Sequence, residues 1–280
     1  MTGLTKRRAV VAGAALAVTA TMAFAPAALA SGNSGTATVT ISGNGYSVTS
    51  AGNSSMTVPI GGTATGNLGS ANWADATGSA AGWNGTVAVS PLTYTGQWSA
   101  GTSTPLASTS AGAYTGTQNG VYYKVTVTSA SASQVNYSYT STDTSDPSGT
   151  GTATPNGGNL VGSVGTTGLT ISFTTSGTYT TSDTYVVDVG TQVAKMTFSG
   201  TGAAITSSGT TSVAPVYYAA NINQSIPTTG GLKFLDALPL TGMSGSGYYT
   251  AAPGVSFTPD SNSWAGAYTG TVTYSISSGP

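Results

Sequence analysis

The chain has 280 residues, six of them basic and seven acidic, with no cysteine and no histidine. Those absences exclude disulfides, a Ser-His-Asp triad, a cysteine nucleophile and a Cys/His zinc site. Phosphate backbones need clustered Lys and Arg, which this chain lacks beyond its first residues, so nucleic acid is excluded as a partner.

Lys6, Arg7 and Arg8 open the chain, an apolar run follows from Ala9 to Phe24, Pro26 breaks it, and Ala28-Leu29-Ala30 supplies a small-x-small pattern. This order predicts a secretory signal peptide over residues 1–30. The apolar run is short for a membrane span, and no later stretch is longer, so no membrane contact is expected after cleavage. The mature chain is expected to be extracellular. It carries three lysines and seven aspartates, no arginine and no glutamate, for a net charge of −4.

Beyond the leader, alternation of period two recurs, which is the signature of half-buried strands. Thr36 to Ser42 alternates, Gly43-Asn44-Gly45 turns, and Tyr46 to Thr49 resumes. Met56–Ile60 and Ala64–Leu68 alternate less clearly. Gly85–Ser90, Val121–Thr128 and Leu169–Phe173 are strong strands. Thr184–Val189 and Val193–Phe198 read as a hairpin around Gly190, and Tyr268–Ile276 as the last strand. Only Leu232–Leu238 suggests a helical turn, stopped by Pro239. Thr140–Asn159 is poor in apolar residues and rich in turn formers, and reads as a long exposed loop. The sum predicts an all-β chain, an antiparallel β-sandwich with an inserted β-rich module. The expected divisions are 31–105 and 192–280 as two parts of one β domain, and 106–191 as the inserted module. The run Ala-Gly-Ala-Tyr-Thr-Gly-Thr occurs at 111–117 and again at 265–271, which is too little for a repeat architecture.

Two segments resemble a known family. Asp75, Gly82 and Trp83, set in Gly69–Ser90, resemble the D-x-x-G-x-x-x-G-W segment of WxL-domain bacterial surface proteins. Gly245–Tyr249 and then Ala265–Ile276, with Tyr268 and Tyr274, are similar to that family's closing strand. Tyr274-Ser275-Ile276 stands where the family closes on Trp-x-Leu. The resemblance implies a secreted β-rich protein held non-covalently on the Gram-positive cell wall through peptidoglycan, with Asp75, Gly82, Trp83, Tyr268 and Tyr274 as landmarks of its fold.

Catalysis is not expected, because glycoside hydrolysis uses two carboxyl groups at a set separation. The aspartates stand singly; Asp143 and Asp146 are neighbours, but in the segment read as an exposed loop. Asp143, Asp146, Asp183 and Asp188 lack the spacing of a calcium loop, and Asp183 reads as a turn former before a strand. No metal or cofactor is assigned. Leu238-Pro239-Leu240-Thr241-Gly242 matches the sortase pattern, but no apolar stretch and basic tail follow it, so covalent anchoring is not expected. Sugar rings stack on aromatic faces, which makes Trp98, Trp264, Tyr94 and Tyr248 the candidate glycan contacts, with Trp73 and Tyr249 also considered. Trp83 shares a face with Val87 and Val89 and is expected in the core instead. Three functions fit: a wall-associated surface protein contacting peptidoglycan or another wall glycan and other surface proteins; a self-assembling subunit pairing through exposed strand edges; and a soluble carbohydrate-binding protein.

Overall fold

A computed structural model describes residues 46–50, 52, 54–76, 81–101, 104–193, 196–208, 214–239 and 247–279. The signal peptide, the expected strand at Thr36–Ser42, Gly245-Ser246 and Leu240-Thr241-Gly242 of the sortase-like run lie outside those residues. The described chain is all-β and antiparallel, with one 3-10 turn at Ala219–Asn221.

Four strands come first: β1 (Tyr46–Ser50), β2 (Ala64–Asn67), β3 (Ala71–Asp75) and β4 (Trp83–Val89). The middle of the chain forms β5 (Leu92–Thr95), β6 (Ser99–Ala100), β7 (Leu106–Ser108), β8 (Val121–Ser131), β9 (Gln134–Ser141), β10 (Ser148–Asn156), β11 (Asn159–Val164), β12 (Leu169–Thr174) and β13 (Thr184–Gln192). The last third forms β14 (Met196–Gly202), β15 (Thr206–Ser208), β16 (Val216–Tyr217), β17 (Leu232–Ala237), β18 (Gly247–Ala251), β19 (Pro253–Phe257) and β20 (Val272–Ser278).

Three small sheets, ordered β1-β3-β18-β15, β14-β19-β2 and β16-β17-β4-β20, each mix strands from the two ends of the chain. Together they enclose one core. Trp73 and Trp83 stack there with ring centroids 6.0 Å apart and planes 10° from parallel. Phe234 and Tyr274 meet Trp73 edge-on at 5.5 and 5.7 Å. The two segments that carry the family resemblance are hydrogen-bonded neighbours in this core, β4 against β20 with Val87 opposite Tyr274.

Two glycines make the tryptophan stack possible. A Cβ on Gly85 would lie 2.8 Å from the Trp73 ring, so Trp73 lies flat on bare backbone. Gly82 turns the chain into β4 with φ +71°, and a Cβ there would lie 2.2 Å from the Ala237 carbonyl oxygen.

The middle of the chain makes a second core under one curled sheet, ordered β5-β13-β8-β9-β10-β11-β12-β7 with β6 also on β13. Its ends approach each other. Gln97 bridges Ser110, and the Trp98 backbone N–H donates to Thr109 at 2.7 Å. Tyr123, Tyr137, Tyr185, Phe173 and Leu160 fill the interior and are fully buried.

The structure corrects four elements. Thr140–Asn159 is not a loop, because the end of β9, all of β10 and the start of β11 occupy most of it. The inward positions of β10 are Gly149, Gly151 and Ala153, opposite Tyr139, Tyr137 and Val135. The tyrosine rings cover the glycines, so small residues are required where apolar ones would ordinarily signal a strand. A Cβ on Gly151 would lie 2.5 Å from the Tyr137 ring. Gly151→Ala is therefore expected to cost about 1–3 kcal/mol by overpacking; an unchanged urea midpoint would refute this reading of the strand. Leu232–Ala237 is a strand, not a helical turn. Thr184 to Phe198 is not a hairpin: β13 runs straight through Gly190, and β14 pairs with β19. The last strand also starts later than expected, at Val272, which leaves Tyr268 in the loop before it.

Candidate functional site

At one end of the curled sheet two carboxylates are buried. The sequence reading placed Asp143 and Asp146 on an exposed loop; they are 0 % and 6 % exposed, turned inward by the tight turn between β9 and β10. The hydroxyl of Tyr114 donates to Asp143 Oδ2 at 2.7 Å, and Ser145 donates to Oδ1 through its backbone N–H at 2.9 Å and its hydroxyl at 2.6 Å. Tyr139 donates to Asp146 Oδ1 at 2.5 Å, and the Thr166 N–H donates to Oδ2 at 2.9 Å. Tyr123 sits between both carboxylates, 3.4 Å from Asp143 Oδ2 and 3.3 Å from Asp146 Oδ2.

Burial alone pushes the Asp143 carboxyl up, but hydrogen bonds from Ser145, Tyr114 and Tyr123 outweigh it and hold the group below its ordinary value. Burial, then the bond to Asp146, pushes the Tyr139 hydroxyl up to about 12. Burial likewise raises Tyr114 and Tyr123. Both carboxylates and the three tyrosines that bond them are buried, while the other two donors, Ser145 and Thr166, lie at the surface, so the arrangement ties a turn to a core. Among the described residues, no group of three or more Asp, Glu, His or Cys is gathered as a metal site. Asp183 makes the expected turn, accepting from the Thr180 N–H at 2.9 Å and its hydroxyl at 3.0 Å.

The second polar cluster lies where the two cores meet, on the loop between β19 and β20. The Trp264 indole N–H donates to the Val121 carbonyl at 2.9 Å, reaching from one core to the first residue of β8. Asn262 donates to the Asn119 carbonyl at 3.1 Å, while the Asn119 side chain donates to Ser263 Oγ at 3.0 Å. Gln192, at the end of β13, donates to the same Ser263 oxygen at 2.6 Å. Thr93 and Thr269 exchange backbone bonds at 2.8 and 2.9 Å. Tyr94 and Tyr268 pack ring against ring at 5.4 Å and 31°, with Gly266 leaving room for the Tyr94 edge. Tyr94, Trp264 and Tyr268 are all half-buried, with amides beside them. Burial raises the Tyr94 and Tyr268 hydroxyls, and for Tyr94 the Asp188 charge adds to it.

Of the four candidate glycan contacts, the fold therefore brings Tyr94 and Trp264 to one place. Tyr248 is 58 % exposed, but it stands on β18 in another sheet, opposite Ala74 and Ser208. Trp98 is a correction. It is 2 % exposed, and its indole N–H donates to the Thr170 carbonyl at 2.7 Å, so no ring face is free for a sugar. Its Gly-Gln-Trp-Ser context looks like a loop, but the residue plugs the seam where the curled sheet closes. Trp73 and Tyr249 are likewise core residues. Of the family landmarks, Trp83 and Tyr274 are in the core, Asp75 is buried at the end of β3, and Gly82 precedes β4. Tyr268 is at the junction. The two copies of the seven-residue run differ in place: Tyr114 is buried against Asp143, and Tyr268 is half-buried on Tyr94.

Sequence reasoning missed Asn119, Asn262 and Gln192, whose amide roles depend on contacts up to 144 residues distant. A crevice with a free volume of about 10 Å³ lies under the junction, lined by Val89, Leu92, Gln192, Met196, Ile226 and Phe257. That is below the usual range for small-molecule pockets, about 300–1,000 Å³. Any recognition at this place is therefore by the surface. The chain matches no family model, no curated protein and no solved structure.

Proposed function

We propose that this is a secreted, non-catalytic surface protein of the WxL type that associates non-covalently with the bacterial cell wall through glycan contacts. The observation that carries the reading is the junction: half-buried Tyr94, Tyr268 and Trp264, rimmed by Asn119 and Asn262, on a chain with very few charges. Aromatic faces stack on sugar C–H faces, and amides bond hydroxyls. Support also comes from the closeness of the two WxL-like segments, which meet as β4 and β20. The buried carboxylates serve the curled sheet rather than a reaction.

The mature protein is expected to sediment with purified Gram-positive walls and to be released by soluble wall glycan. Failure to sediment with walls from any Gram-positive source would remove the reading. Fractionation of the native host into wall, membrane and medium gives the same answer in vivo.

A further inference from the structure

On the outer face of the curled sheet, next to the junction, one carboxylate is left without a partner. β8 and β13 alternate in burial, so Tyr122 and Lys124 point outward from β8, and Val186 and Asp188 from β13. Asp188 is directly opposite Tyr122, and Val186 is opposite Lys124. Directly opposed side chains on neighbouring strands have Cβ atoms about 4.5–5.5 Å apart. Two residues further along β13, Gly190 is opposite Tyr94. Asn119 Oδ1 lies over Gly190, where a Cβ would meet it at 2.4 Å. The outer face therefore runs Tyr122, Asp188, Asn119, Tyr94, with Tyr268 packed on the last. Tyr122 is 42 % exposed and Asp188 half-buried. Among the described residues the Asp188 carboxylate makes no hydrogen bond and no ion pair, in contrast to Asp143, Asp146, Asp183 and Asp236.

We infer that Asp188, flanked by Tyr122 and Tyr94, binds a neutral wall polysaccharide through a pair of adjacent free hydroxyls. This rests on the wall-association reading and names its ligand class. A carboxylate has two acceptor oxygens and takes two parallel O–H donors well, and a charged acceptor makes such bonds roughly twice as strong. The exposed Tyr122 ring offers a stacking face for the same sugar, and Tyr94, packed on Tyr268, bounds the other side. The peptidoglycan strand, the wall ligand that the family resemblance implies, does not fit this carboxylate. Its sugars carry acetamido groups at C2 and ether or glycosidic oxygens at C3 or C4, leaving no adjacent hydroxyl pair along the strand. Its peptide stems also carry carboxylates, which Asp188 and a mature charge of −4 repel.

The test uses the mature chain and three wall preparations: untreated, stripped of accessory polysaccharide with hydrofluoric acid, and oxidised with periodate, which cleaves between adjacent hydroxyls. Binding is expected to the first and to be lost on the other two. Asp188→Asn is expected to weaken binding to untreated walls about tenfold, and Tyr122→Ala to weaken it several-fold. Thr150→Ala, on the outer face of β10, should bind as the wild type. Equal wild-type binding to stripped or oxidised walls overturns the ligand class. Wild-type binding by both Asp188→Asn and Tyr122→Ala, each folded by circular dichroism, overturns the site while leaving wall association standing. No sedimentation with any wall overturns both.

Discussion

Trp83→Ala is expected to lower folding stability by about 3–5 kcal/mol, the cost of emptying a fully buried aromatic site. Trp83 is 0 % exposed, stacked on Trp73, and 6.3 Å from the Tyr249 ring. Its partners cannot collapse into the gap. Trp73 is already seated on the Gly85 backbone, and Gly82 is fixed against the Ala237 carbonyl. Urea unfolding followed by tryptophan fluorescence reads the loss directly. Wall binding by the folded fraction should be unchanged, since the junction aromatics are untouched. A variant that unfolds at the wild-type midpoint would contradict the core role, and one that keeps its midpoint but loses wall binding would move Trp83 to the recognition surface.

Removing the Asp143 carboxylate is the second large effect. Asp143→Ala leaves the buried Tyr114 hydroxyl without its acceptor, while the exposed Ser145 turns to water, at about 1–3 kcal/mol. The pH dependence follows from the direction of each shift. Asp143 has a folded pKa below its unfolded value, so its contribution is present above about pH 4 and is lost as pH falls through the folded value. The four tyrosines Tyr114, Tyr123, Tyr137 and Tyr139 are shifted upward, chiefly by burial. Their contribution is complete below about pH 10 and is lost as pH rises above it. Asp188 is raised by burial and opposes Asp143, favouring the folded state most in acid. Stability is thus expected to be level between those limits and to fall on both sides. Asp143→Asn keeps the shape and removes the charge, so its urea midpoint should fall less steeply below pH 4 than that of the wild type. An acid limb identical to the wild type's would show that the network does not hold Asp143 ionised.

The strands that were legible in the sequence are those whose apolar residues announce themselves. Val121–Thr128 alternates Val, Tyr, Val and Val on one side, and the fold buries that side. Trp83, Val87 and Val89 share the buried face of β4 by the same count. β10 was hidden because its inward residues are glycine and alanine, and the bulk that covers them comes from Tyr137 and Tyr139 on the next strand. Trp98 was misread for a related reason. Its neighbours are turn formers, while the carbonyl that receives its N–H is on Thr170, 72 residues away.

By itself, then, the amino-acid order determined the class of fold and the chemistry open to it. Period-two patterning is local, and so are the absences of histidine, cysteine and glutamate. The tertiary structure decided which aromatics are walls and which are surfaces. It turned Asp143 and Asp146 inward, set Trp98 into a seam, brought Tyr94, Tyr268 and Trp264 to one junction, and left Asp188 open. Each of those outcomes depends on a partner supplied by a distant strand. Burial is a property of the pair, and a single strand's sequence carries only half of it.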